Sequence, residues 1–175
     1  MKPLDIIIEQ AEKILLTAND ILRLTNNEVN ILVYEELLNF KSIDDAFNGK
    51  TGIVLLFQNT RNSGHWCLLY RLNPKTIYFF DPYGFPMDSE IKWSKYLISQ
   101  GFLKQPALTY LIKKSNYKLL QNNVKYQTLA DGSSTCGRWV ITKYNYRHLT
   151  DKDFKTFMLG SKHYNGDFWV SILTM

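Results

Sequence analysis

The sequence predicts an α+β fold, organised as a single domain over residues 1–175. Three observations lead there. Apolar residues near the start recur at spacings of three and four, as on one face of a helix. Between residues 52 and 81 the texture changes to short aliphatic and aromatic runs bounded by Asn, Gly and Pro, the pattern of strands. From Gly137 the helical spacing returns. Helices, a cluster of strands and helices again differ from the regular alternation of a βαβ protein.

Taken in order, Ile7, Ile8, Ala11 and Leu15, then Ile21 and Leu22, make the first third read as helical. Ser42 with Asp45 three residues on has the form of a capping box for a short helix through Phe47. The runs GIVLLF (52–57), HWCLLYRL (65–72) and TIYFFD (76–81) read as strands. DSEIKWSKYLISQG starts on a cap-like Asp88 and ends on Gly101, which predicts a helix. ALTYLI (107–112) reads as a further strand. Val140, Ile141, Tyr144 and His148 share one helical face, Thr150 with Asp153 can cap another helix, and FWVSIL (168–173) closes the chain as a strand-like run.

Composition excludes several classes. With 45% hydrophobic residues and 21% charged ones without like-charge blocks, the chain can bury one sizeable core and is not disordered. The first residues hold apolar runs of only three, too short for a secretory leader or a membrane span, so a soluble, non-secreted protein of a reducing compartment is expected. Two cysteines far apart build neither a disulfide framework nor a CxxC zinc motif, and no metal or organic cofactor is expected. A net charge of +5 and a pI near 9.1 allow weak nucleic-acid binding, yet the basic residues are scattered and specify no partner.

The stretch DGSSTCGRWV carries the chemistry. Ser133, Ser134 and Thr135 are cap-type residues, and the apolar face begins after Gly137. Cys136 is thus expected in the first turn of a helix, where free N–H groups and the helix dipole favour a thiolate. A working thiolate also needs a base. Only His65, His148 and His163 exist. His65 stands at a strand entry behind Gly64, and the turn LNPK leads into a second strand ending at Asp81. A hairpin folded about Asn73 sets His65 against Asp81, and a turn centred up to one residue later changes this only slightly. Opposed side chains have Cβ atoms about 5 Å apart on one face. A carboxylate there would fix the imidazole tautomer and stabilise its charged form. Cys67, inside an apolar strand, reads as a packing residue, and His148 and His163 as structural or solvated.

GHW, then FFDPYG after a hairpin-length gap, then a glutamine upstream of CGRWV, resembles the adenain-like and ubiquitin-like-protein protease group of cysteine proteases. The segments LTANDILRL, VNILVYEELLNF and IDDAF, with DFKTFML and DFWVSILTM at the other end, are similar to the shorter maturation proteases of virophages and polinton-like viruses. The resemblance covers most of the chain. It implies a central mixed sheet flanked by helices and a nucleophile at a helix N-terminus. It implies His65 as base, Asp81 as orienting acid, Cys136 as nucleophile and Gln127 as oxyanion donor. Gln127 stands nine residues before Cys136, a longer gap than the family shows, and Gln121 is the reserve. Trp66 and Gly137 would line a substrate cleft that admits glycines, although alternation along the strand equally places Trp66 in the core.

The implied task is cleavage of viral capsid precursors near Gly-Gly or Gly-X sites, by a monomer acting in the virion and the infected cell and needing no membrane. The resemblance allows activation by DNA or a peptide, which the residues do not specify. Two other readings stay open: deconjugation of ubiquitin-like modifiers, and a basic, non-enzymatic particle component that binds nucleic acid.

Overall fold

The computed structural model describes residues 3–128 and 134–175. Among these, five strands form one mixed sheet in the order β1 (Val29–Val33), β2 (Gly52–Gln58), β3 (Gly64–Asn73), β4 (Thr76–Phe80) and β5 (Lys118–Gln121). β1 runs parallel to β2, β2–β3–β4 is an antiparallel meander, and β5 returns parallel to β4. The helices are α1 (Pro3–Glu12), α2 (Ala18–Leu24), α3 (Ile43–Phe47), α4 (Lys95–Ser99), α5 (Ala107–Lys114), α6 (Cys136–Asn145), α7 (Asp151–Leu159) and α8 (Gly166–Leu173). 3₁₀ turns cover Tyr34–Asn39 and Ser89–Trp93. No helix of the described residues is long and apolar enough to cross a membrane.

Both faces of the sheet are covered, which explains why β2 is buried along its whole length and reads as an unbroken apolar run. On one face Leu55, Phe57, Cys67, Leu69, Ile77 and Phe79 pack under α3, α4, α5 and the 3₁₀ turns. On the other, Val54, Leu68, Tyr70, Tyr78 and Phe80 meet Trp139, Tyr144, Phe154 and Val170 from α6, α7 and α8. α6 is buried from Cys136 through Tyr144, so it is the central helix of that layer. Arg138, 4% exposed, reaches outward from it to the carbonyls of Ala11 and Thr174 and to the Thr174 hydroxyl. One buried guanidinium thereby ties α6 to segments from opposite ends of the sequence.

The structure departs from the sequence reading in identifiable places. The helical first third is two helices, because Thr17 starts a capping box with Asp20. VNILV is strand β1, whose Ile31 and Leu32 match a helical stripe as easily as a strand. ALTYLI is helix α5 and not a strand. Ala107, Leu108, Leu111 and Ile112 are its buried residues, a spacing of one helical face behind Pro106. FWVSIL is likewise helical, as part of α8, with Asn165 capping the Phe168 N–H. The helix expected from Asp88 is a 3₁₀ turn followed by α4, divided at Ser94, whose hydroxyl caps Leu97. Strand β5 was not foreseen.

Candidate active site

The site lies where β3, β4 and the start of α6 converge. In the β3–β4 hairpin Leu68 pairs with Phe80, Leu69 with Phe79 and Tyr70 with Tyr78, after a bulge near Asn73. Continued outward, that register opposes Cys67 to Asp81 and His65 to Tyr83, two residues from the pairing about Asn73. A two-residue offset keeps every side chain on its face. His65 therefore reaches Asp81 diagonally, Nε2 to Oδ1 at 3.0 Å, while its ring stacks on Tyr83 with centroids 4.6 Å apart.

Two glycines make this end of the sheet possible. A Cβ on Gly64 would lie 2.0 Å from the Phe57 carbonyl oxygen, so only glycine lets β3 begin beside β2 directly before the histidine. Gly84, at φ +74°, closes the DPYG turn with its N–H on the Asp81 carbonyl, and a Cβ there would meet the Val124 carbonyl at 2.8 Å. Asp81 itself is 1% exposed. Its Oδ1 also accepts from the Tyr83 N–H at 2.7 Å, and Asn122, just past β5, holds both its N–H and its carbonyl. β5 thus serves the site by delivering Asn122.

Cys136 opens α6 after Thr135 and is 7% exposed. Thr135 is the N-cap residue, Ser134 precedes it with its N–H on the Glu12 carbonyl, and Ser133 lies outside the described residues. His65 and the backbone N–H groups of Trp66 and Gly137 are close enough to the Cys136 sulfur to favour its ionised form. Because Nε2 is given to Asp81, Nδ1 is the ring nitrogen left for the thiol. Burial alone would lower the His65 pKa; the hydrogen bond to Asp81 and the interaction with Cys136 overturn this and hold it well above the usual value. Burial would likewise raise the Cys136 thiol, but the His65 hydrogen bond and charge bring it below the usual thiol value. Asp81, despite burial, is kept ionised by its contact with His65. Both shifts favour an imidazolium–thiolate pair with the Asp81 carboxylate behind it.

Glu90 was missed. It comes from the second 3₁₀ turn, places Oε1 3.4 Å from His65 Nε2, and shares a hydrogen bond with Asp81. Burial pushes its pKa up to about 9, so it is the protonated member of an acid pair. Nothing in DSEIKW marks this glutamate, because its position depends on how the turn crosses the sheet end.

Gln127 is 2% exposed, and its N–H bonds to the carbonyl of Pro82, next to Asp81. One end of its amide, Oε1, has no hydrogen-bond partner among the described residues. Gln121 is exposed and accepts from the Met87 N–H at 3.2 Å. Asp167 is a second residue that the sequence did not signal. One of its oxygens takes the N–H and hydroxyl of Thr128, at 3.0 and 2.7 Å. The other takes the Thr135 hydroxyl at 2.5 Å and the Trp139 indole N–H at 2.8 Å. It clamps the residue after Gln127 and the residue before Cys136 together. His148 and His163 are exposed and away from this cluster.

Trp66 is partly buried and also lines an open groove. It packs on the α6 layer, and its Cδ1 lies 3.5 Å from where a Cβ on Gly137 would sit, as does Leu16. Beside it runs a groove of about 470 Å³ whose lining includes Leu15, Leu16, Ile31, Leu56, Arg61 and Trp66.

Architecture and site together define an α+β protein with a cysteine at a helix start, a histidine against it and an acid behind the histidine. The chain is 33% identical over 151 residues to the uncharacterized protein V9 of Sputnik virophage, covering 84% of this chain and 85% of that one. It belongs to the same family as that virophage protein. No protein-family model matches the sequence. Among solved structures it is similar to the ASFV pS273R protease, with a TM-score of 0.49 and 15% identity, over 99% of this chain and 69% of that one.

Proposed function

We propose that the chain is a cysteine endopeptidase in which Cys136 is the nucleophile, His65 the general acid and base, and Asp81 the group that orients His65. The observation that carries this is the His65–Asp81 hydrogen bond beside Cys136 at the start of α6, with the thiol pKa lowered and the imidazole pKa raised by their mutual interaction. The Cys136 thiolate attacks a peptide carbonyl, and the oxyanion is held by backbone N–H at the start of α6 and by Gln127. A half-turn of the Gln127 amide exchanges O and N, so its unpartnered end can be presented as a donor. Protonated His65 gives its proton to the leaving amine as the C–N bond breaks. Neutral His65 then takes a proton from water, which hydrolyses the thioester and restores the thiolate.

The groove beside Trp66 and Leu16 is the proposed seat for the residues before the scissile bond, and glycine is the residue the family resemblance proposes there. Kinship with a virophage protein and resemblance to viral maturation proteases make capsid precursors the proposed substrates. A single domain, a monomeric state and action within virions and infected cells complete this reading.

Iodoacetamide labelling against pH, with each thiol mapped by mass spectrometry, tests it, alongside cleavage of quenched peptides containing Gly-Gly. Cys136 should label fast well below pH 8 and lose that advantage in His65→Ala, and cleavage should vanish in Cys136→Ala. A Cys136 that labels as an ordinary thiol in both proteins would overturn the assignment.

A further inference from the structure

The acid side of His65 holds more chemistry than acyl transfer requires. Cys67 Sγ lies 4.0 Å from Glu90 Oε1, and Glu90 Oε1 lies 3.4 Å from His65 Nε2, which is 3.0 Å from Asp81 Oδ1. Donor atoms of all four residues fall within 4.8 Å of one another. We propose that His65, Cys67, Asp81 and Glu90 form a binding site for a divalent transition metal, zinc above others, distinct from the Cys136 thiol.

Geometry and donor type point the same way. Tetrahedral zinc takes N, S and O ligands at about 2.0–2.3 Å, which sets the ligand atoms about 3.3–3.7 Å apart. The four donors bracket that range and need to close by about 1 Å at most. One imidazole, one thiol and two carboxylates suit zinc, whereas calcium and magnesium call for all-oxygen shells. The frame is stiff: His65 and Cys67 alternate onto one face of β3, and Asp81 ends β4 opposite Cys67. An outer shell already exists in the Tyr83 N–H on Asp81, the Tyr83 ring on His65 and the Asn122 brace on the Asp81 backbone. Access comes from the side away from Cys136, where a cavity of about 240 Å³ is lined by His65, Glu90, Tyr83, Phe85 and Trp93. Neither Cys67 nor Glu90 has a task in the proposed hydrolysis.

The consequence rests on the protease reading above. A metal on Nε2 takes the place of the proton that Asp81 accepts. His65 then stays a metal ligand and cannot cycle between imidazole and imidazolium, so general acid–base work stops. Zinc would hold the enzyme inactive and a chelator would release it.

Zinc titration calorimetry and cobalt absorption on the full chain test this in wild type, Cys136→Ala, Cys67→Ala and Cys67→Ser. Wild type and Cys136→Ala should each bind one equivalent of zinc with similar affinity. Both Cys67 variants should weaken binding by more than the ~10–100-fold that loss of an outer-shell partner costs. Cobalt should give a sulfur charge-transfer band in Cys136→Ala and none in Cys67→Ala. Cys67→Ala, which keeps the hydrolytic residues, should still cleave peptide and resist zinc inhibition. Zinc binding that disappears in Cys136→Ala and survives in Cys67→Ala would overturn the proposal, as would no binding in any variant. Because binding is read in Cys136→Ala, its outcome is separate from that of the hydrolysis experiment.

Discussion

Cys67 and Cys136 are both buried, 0% and 7% exposed, and both belong to the surroundings of His65. Their thiols are nevertheless driven in opposite directions. Burial and the negative charge of Asp81 push Cys67 well above the usual thiol value. Cys136 faces the imidazolium and two backbone N–H groups, which outweigh the same burial penalty. Depth therefore does not decide which thiol is reactive; the sign of the neighbouring charge does. The interior of β3 favours the protonated sulfur, and the start of α6 favours the ionised one.

Removing the imidazolium is the strongest way to break this contrast. His65→Ala should reduce Cys136 alkylation at pH 6.5 by about 100-fold, the ratio set by a thiol returned to a pKa near 8.5, and should abolish peptide cleavage. In wild type the ion pair exists between the depressed Cys136 pKa and the elevated His65 pKa. Cleavage should accordingly rise with pH through the first and fall through the second, giving a plateau across neutrality in a profile of kcat/KM.

Loosening the helix start comes next. Asp167→Ala leaves the buried donors of Thr135 and Trp139 without their acceptor, and urea denaturation should show a loss of about 2–4 kcal/mol. Cys136 labelling should slow in the same variant, while Cys67 stays unlabelled. Glu90→Gln should act mainly on pH dependence. The folded pKa of Glu90, about 9, lies above its unfolded value, so the stability it contributes is full below the unfolded pKa and is lost as pH rises toward 9. The amide cannot ionise, and the decline, at most ~1.4 kcal/mol per pH unit, should flatten in denaturation series between pH 5 and 9. Smallest of all, Cys67→Ala should cost about 1 kcal/mol for the small cavity it opens and leave Cys136 labelling within about twofold.

What could be read from the sequence follows the reach of local rules. The β2–β3–β4 meander and the start of α6 depend on neighbouring residues, and their strands, turns and helix start were visible as such, although the Thr135 hydroxyl bonds Asp167 and makes no helix cap. The hairpin register was misplaced by two residues because a bulge near Asn73 adds length that no motif announces. The even offset left His65 and Asp81 on one face, so the dyad survived the error. ALTYLI and FWVSIL were misjudged because short apolar runs carry no period of their own; burial against the sheet in one case and the Asn165 cap in the other made them helices. Four-residue β5 exists only because β4 offers it an edge. Glu90 reaches the site from a 3₁₀ turn and Asp167 from the start of α8, and their placement is a product of tertiary packing.

The buried Arg138 bridge has a consequence in time. A chain emerging from the ribosome can form the β2–β4 meander early, with His65 and Asp81 in place. The nucleophile helix has to wait: its Thr135 and Trp139 need Asp167, and its Arg138 needs Thr174. The surroundings of Cys136 are thereby completed only once Asp167 and Thr174 are in place, long after the meander residues have been made.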